Sequence, residues 1–182
     1  MNINHVIIHS LDEVDFDGIY DGSLDSIEKN WPTNNSLQGT EIKNRVRDII
    51  QSALDNEWPG LNPRTPHDAH ILFKHVDLDT GIDMGLVSAY ITSDGTLDGR
   101  HSFSRATSDG SRNYLYLAET VENRNQFYRD IGITKIKYNL PKDSHLYKFL
   151  KYKAGSGNYE ILEDFENPEM AGFRIVITAP AL

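Results

Sequence analysis

Four runs decide the fold: AHILFKHVD (69–77), MGLVSAYIT (84–92), GRHSFSRAT (99–107) and RNYLYLAET (112–120). Each is short and rich in β-branched and aromatic residues, the types that pack well on a pleated surface. Between them stand Asp79-Thr80-Gly81, Asp94-Gly95 and Asp109-Gly110. Asp-Gly signals a hairpin, because a type I′ turn needs positive φ at both central residues. Thr92-Ser93-Asp94-Gly95 recurs as Thr107-Ser108-Asp109-Gly110, and a meander with similar turns accounts for the recurrence. Successive tight turns imply antiparallel neighbours.

Upstream, Asn4–Leu11 (NHVIIHSL) reads as a strand. Ser23 is placed to cap a short helical turn through Leu24 and Ile27 to Asn30, which must end before Pro32. Residues 32–39 (PTNNSLQG) have loop composition. The clearest helix is expected over Thr40–Asn56, where Ile42, Val46, Ile49, Ile50, Ala53 and Leu54 form one stripe at the 3.6-residue period. Downstream, Thr120–Asp130 reads as a helix and Ile133–Leu140 as a strand closed by Pro141. Asp143 or Ser144 caps a short helix carrying Leu146, Phe149 and Leu150, which Ala154–Gly157 closes. Gly172–Ala179 is a final strand. The expectation is therefore one α+β domain over residues 1–182. It is an antiparallel meander with one main amphipathic helix and two shorter helices packed on it.

The chain has 182 residues, enough for one real core, and no apolar run approaches the ~18 residues of a membrane span. MNINHVIIHSLDE has no basic n-region, so no signal peptide is read there. The absence of cysteine excludes disulfides, thiolate chemistry and cysteine-ligated metals, and a cytoplasmic location is expected. A net charge of −9 opposes broad attraction to nucleic acid or lipid. The charge is uneven: Ile133–Gly157 carries Lys135, Lys137, Lys142, Lys148, Lys151 and Lys153 against Asp143 alone.

Three constellations offer chemistry. Asp77, Asp79 and Asp83 surround Gly81, residue types that suit a hard cation, but the spacing is not that of an EF-hand and a solvated hairpin turn is the favoured reading. His67, His70 and His75, with Asp68 beside them, could ligate a metal or act as bases. His70 and His75 are separated by an odd number of residues and should face opposite sides of a strand. His5 and His9 share a strand face without a carboxylate nearby, and His101 and His145 are isolated. Finally, Tyr138, Tyr147 and Tyr152 interleave with the six lysines, a composition that neutralises phosphates and stacks on bases. Its bland counterpart is an amphipathic helix whose lysines are only its solvated side. No nucleophile elbow, Walker loop or dinucleotide fingerprint is present.

The opening Ile3-Asn4-His5-Val6-Ile7-Ile8-His9-Ser10-Leu11 resembles the start of bacterial nucleoid-associated proteins of the NdpA type. An amphipathic helix ending near Asn56, then Pro66, Asp68 and the β run Ile71–Val76, extends the similarity. The resemblance implies association with the nucleoid or DNA and carries over no catalytic residue.

These readings converge on a non-enzymatic regulatory protein that binds a polyanion, nucleic acid above all. Its binding residues would be the six lysines with Tyr138, Tyr147 and Tyr152, and it would need no cofactor. One alternative is a metal-assisted phosphodiesterase or nuclease using a divalent cation with His67, His70, Asp68 and Asp77. Another is an acidic inhibitor of a basic protein partner. No reading involves a membrane.

Overall fold

A computed structural model describes residues 2–30, 40–55, 69–105, 122–154 and 159–180. The strands are β1 (Ile3–Ile7), β2 (Ala69–Asp77), β3 (Ile82–Ile91), β4 (Thr96–Ser104), β5 (Lys135–Pro141), β6 (Tyr159–Glu166) and β7 (Phe173–Pro180). The helices are α1 (Phe16–Asn30), α2 (Thr40–Leu54), α3 (Glu122–Asp130) and α4 (His145–Lys153), with a 3-10 turn at Leu11–Glu13. The chain is thus α+β, built on one seven-stranded sheet in the order β1-β2-β3-β4-β5-β7-β6. Every neighbouring pair is antiparallel except β4 and β5. No helix among the described residues is long and apolar enough to cross a membrane.

The expected meander is β2-β3-β4, and its turns use the predicted glycines: Gly81 has φ +71° and Gly95 φ +79°. The fourth run, 112–120, and the turn at Asp109-Gly110 lie outside the described residues. The main helix follows its stripe, with Val46, Ile50 and Ala53 buried. Ser144 caps α4 as expected, its hydroxyl accepting from the Tyr147 N–H at 3.1 Å.

Two elements differ from expectation. Helix α1 begins seven residues before Ser23, because Asp15 accepts the Gly18 N–H at its start and Phe16, Ile19 and Tyr20 bury one face. Ser23 sits within the helix and turns its hydroxyl back to the Tyr20 carbonyl, 2.8 Å away. Strand β6 has no expectation behind it. Its YEILEDFE sequence is rich in acidic residues that strands disfavour, and it stands at the sheet edge, where charge discourages further pairing.

Both faces of the sheet are covered. Helices α1 and α2 pack Phe16, Ile19, Tyr20, Val46 and Ile50 on Leu72, Leu86 and Phe103. Helix α3 packs Tyr128 on the other face, against Ile71, Phe73, Leu97 and Ile136. Helix α4 buries Leu150 on that same side, sharing Tyr138 with the α3 cluster. Leu97 and Phe103 belong to opposite faces, although an even separation along a regular strand would put them on one. A bulge explains the switch: Ala89 pairs with Gly99 and Ser88 with His101, so Arg100 is an extra residue that resets the alternation.

Candidate active site

The parallel contact between β4 and β5 is short. Thr96 pairs with Lys135, Leu97 with Ile136 and Asp98 with Lys137; there the ladder ends, while β4 continues to Ser104 and β5 to Pro141. The two strands part just before the Arg100 bulge. At the apex, the carboxylate of buried Asp98 lies 3.5 Å from Lys137 Nζ. A methyl group at Gly99 would meet no described atom within 4 Å.

Next to the apex, a row of polar side chains crosses the α1/α2 face of the sheet. Strand register brings His70 opposite Tyr90, Leu72 opposite Ser88, and Ser88 opposite His101. The hydroxyl of Ser88, which has no exposed surface, is 2.8 Å from His70 Nε2. The His70 ring meets Tyr90 edge-on at 5.3 Å, and the Arg100 guanidinium carbon lies 5.8 Å from the centre of the same Tyr90 ring. His101 stacks on Phe103 at 6.2 Å. His70 Nδ1, His101 Nδ1 and Arg100 Nε are buried and have no hydrogen-bond partner among the described residues. Buried polar atoms without partners are rare, and each calls for an explanation.

Burial holds both histidines neutral. Desolvation lowers the pKa of His70 to about 4. Desolvation lowers that of His101 to about 4 as well, with the nearby His70 adding to the effect. At neutral pH each imidazole therefore presents one donor and one acceptor nitrogen.

Of the residues singled out from sequence, His70 lies in this row and Lys137 at the apex, while the others fall elsewhere or separate. Ile136 and Tyr138 face α3 and α4, so Lys135 and Lys137 lie on the opposite side of the sheet from the lysines of α4. Lys135 is 3.7 Å from Asp94 and Lys151 is 3.2 Å from Asp164, while Lys142 and Lys148 are exposed. The Lys153 ammonium lies over the rings of Phe149 and Tyr152. Tyr138 is half-buried against α4, Tyr147 donates to Asp164 at 2.9 Å, and Tyr152 is 80% exposed.

The acidic turn closes on itself. Asp77 accepts from Thr80 Oγ1 at 2.9 Å and from the N–H groups of Asp79 and Asn2, while Asp83 faces Lys74 at 3.0 Å. Among the described residues, no group of three or more histidines and carboxylates could hold a metal ion. His67 and Asp68 lie outside the described residues. His75 is on the opposite face from His70, beside His5, as the odd separation requires. Sequence reasoning missed Ser88, Tyr90, Asp98, Arg100 and His101 as site residues. Their only sequence signal is Gly99, a glycine inside a strand run, which is a mark of bulges.

No family model matches the chain, and no curated protein is similar to it in sequence. Solved structures do resemble it. Spermidine N-acetyltransferase from Vibrio cholerae, solved with CoA and spermine, superposes with a TM-score of 0.56 at 11% identity, over 97% of this chain and 94% of that one. The microcin C7 self-immunity acetyltransferase MccE, solved with acetyl-CoA and AMP, gives a TM-score of 0.55 at 15% identity, over 100% of this chain and 93% of that one. A protein from Desulfovibrio desulfuricans assigned to the GNAT family of acetyltransferases gives 0.50 at 11% identity, over 97% and 96% of the two chains. The fold is that of the GNAT acetyltransferases.

That likeness corrects three expectations. The resemblance to NdpA-type nucleoid proteins is overturned, since the fold neighbours are acetyltransferases. The reading as a non-enzymatic regulatory, nucleic-acid-binding protein falls with it, and so do nucleic acid and a basic protein as partners. The physical reason for the error is local counting: the lysine-rich segment looks cationic only until the carboxylates that the fold brings to it are included.

Proposed function

We propose that this protein transfers an acyl group, acetyl in the first instance, from a CoA thioester to the amine of a small acceptor. The observation that carries the reading is the short β4/β5 ladder ending at a bulge, within a fold shared almost end to end with acetyltransferases solved with CoA or acetyl-CoA. The reading keeps the cytoplasmic location and the single domain over 1–182 expected from the sequence, and replaces the expectation of no cofactor with a CoA cosubstrate.

The residues present suit such a group. A pantetheine arm is a narrow chain with two amides, and two parting parallel strands offer backbone N–H and C=O groups outside their ladder to pair with it. Gly99–Ser104 of β4 and Tyr138–Leu140 of β5 would flank the arm. The thioester supplies an activated carbonyl carbon. The acceptor nitrogen attacks it, a C–N bond forms, the C–S bond breaks, a proton leaves the nitrogen and the sulfur gains one.

This chain's own residues serve that transfer from the α1/α2 face. His101 and His70, with pKa values of about 4, are protonated in only about one molecule in a thousand at pH 7. Both rings are thus neutral, and His101 keeps an acceptor lone pair for the amine hydrogen in nearly every molecule. Ser88 fixes the ring of His70 through its 2.8 Å contact. Phe103 fixes that of His101 by stacking. The buried, close-packed rings exclude water from the reacting pair, which limits hydrolysis of the thioester.

The test measures acetyl-CoA binding by calorimetry and release of free CoA thiol across a panel of primary amines. Amine-dependent thiol release, with the N-acetyl product seen by mass spectrometry, is the expected result. An absence of both acetyl-CoA binding and amine-dependent release would overturn the reading. On this mechanism His101→Ala lowers kcat by roughly tenfold or more, less than the full range of a base whose pKa matches the working pH.

A further inference from the structure

We infer that the acceptor carries an anionic group, a carboxylate or phosphate, close to its amine, and that Arg100 binds it. The inference rests on the acyl-transfer reading and names the substrate class of that site.

Arg100 differs from the other paired arginines of the fold. Arg47 meets Asp17, Arg105 meets Asp15 and Arg174 meets Asp164. Among the described residues, Arg100 meets no carboxylate; its contact is the face of Tyr90. Its Nε is buried without a hydrogen-bond partner. Arg100 is half-buried, and a guanidinium partly withdrawn from water without a carboxylate is favoured by an anion beside it. Contact with a ring uses none of the N–H donors in a carboxylate bond, and the guanidinium edge is what takes a carboxylate or phosphate in bidentate fashion.

The surroundings agree in sign. Among the described residues, Arg100 and Lys137 stand with Asp98 on this part of the sheet, and both histidines of the row are neutral at pH 7. The site is therefore locally cationic within a chain of net charge −9. Screening over about 8 Å at physiological salt makes the local sign decide at contact range.

The spacing narrows the class further. Arg100 and His101 are consecutive, and the bulge turns both toward the α1/α2 face: Arg100 reaches Tyr90, and His101 stacks on Phe103. Neighbouring Cα atoms are about 3.8 Å apart. Two such side chains suit an acceptor whose anion and amine are separated by one or two atoms, as in an α-amino acid. His101 takes the amine hydrogen and Arg100 the carboxylate. The anionic groups of CoA are the other source of the same chemistry, and the experiment separates them.

The experiment measures kcat/KM with acetyl-CoA for amino acids and for their matched amides, which lack the charge. Amino acids should be preferred roughly ten- to hundredfold, the span of one charge-assisted hydrogen-bonded pair. In Arg100→Ala that ratio should collapse toward one, through the acceptor's KM; Arg100→Lys should restore part of it. Three results would overturn the inference: a preference for the amide in the wild type, a ratio unchanged in Arg100→Ala, or a loss that falls on the KM for acetyl-CoA. Circular dichroism confirms that each variant is folded. Calorimetry with an amino acid and its amide, without acetyl-CoA, keeps the two readings apart. Amino-acid binding that needs Arg100 in a protein that transfers nothing sinks the transferase reading alone, and equal binding of both compounds sinks the anion site.

Discussion

Acid should unfold this protein through histidines that have no part in the proposed chemistry, and His5 is the one whose share can be isolated. His5 and His75 are cross-strand partners on β1 and β2, their rings 4.6 Å apart on the face opposite the candidate site. Phe127 of α3 stacks on His5 at 5.2 Å, Phe73 lies beside both rings, and the buried Arg124 of α3 adds positive charge. Desolvation, then the Arg124 charge, lowers the His5 pKa to about 4. His75 is lowered well below its ordinary value by burial, then by His5 and Arg124. A histidine with a depressed folded-state pKa is neutral in both states above the unfolded value of 6.5, so nothing is lost there. As the pH falls from 6.5 towards 4, the unfolded chain takes up a proton that the folded chain refuses, and stability falls. Between about pH 7 and pH 4.5, His5 alone removes about 2.5 kcal/mol, at 1.36 kcal/mol per unit of pKa difference. That is a large part of a stability of typically 5–15 kcal/mol. The perturbation is His5→Phe, which keeps a flat ring among Phe73, Phe127 and His75 and removes the titration. Urea unfolding followed by circular dichroism at the two pH values gives the loss for each protein. The variant should lose about 2.5 kcal/mol less than the wild type, because the carboxylates contribute equally to both and His75, held low first by its own burial, still refuses the proton when His5 is gone. Equal losses, within about 0.5 kcal/mol, would show that His5 is not held neutral and would refute the argument.

Two comparisons test the fold. Gly81 and Gly95 both have positive φ, but a methyl at Gly81 meets nothing within 4 Å, whereas one at Gly95 comes to 2.9 Å from the Gly132 carbonyl and 3.0 Å from Thr134 Oγ1. Gly81→Ala should cost about 1 kcal/mol for backbone strain alone and Gly95→Ala clearly more, read from urea midpoints; equal costs would mean that the β3–β4 turn does not pack on the segment leading into β5. Phe73, fully buried against Phe127 and Tyr128, should cost about 3–5 kcal/mol on truncation to Ala. Lys135, with 42% of its side chain exposed opposite an Asp94 that is 60% exposed, should cost less than about 1 kcal/mol.

What could be read from sequence was what neighbours in sequence decide. The stripe from Ile42 to Leu54 sets its own helix, and Asp-Gly sets its own turn, so α2 and the β2-β3-β4 meander were legible. The lysine segment misled for the converse reason. Asp94, Asp98 and Asp164, which meet Lys135, Lys137 and Lys151, come from other strands and turns, and a local charge count does not see them. Strand β6 stayed hidden because edge position, not hydrophobic pattern, suits its acidic residues.

The candidate site depends on two contacts of long sequence range, and one residue links them. His70, Ser88 and His101 meet only because three strands align, and on a regular β4 His101 would lie with Leu97 on the α3 face, away from Ser88. The extra residue, Arg100, turns His101 to the other face, and it does so two residues beyond the end of the parallel ladder that joins β4 to β5. Up to Asp98 the strand pairs with β5 and sends Leu97 into the α3 core; beyond it, the same strand leaves β5 and sends Phe103 under α1 and α2. The bulge thus lets one strand contribute to both cores and leave polar groups at the change of face. A site made in this way has no consecutive motif, and it becomes visible only when the register of β4 against both of its neighbours is known.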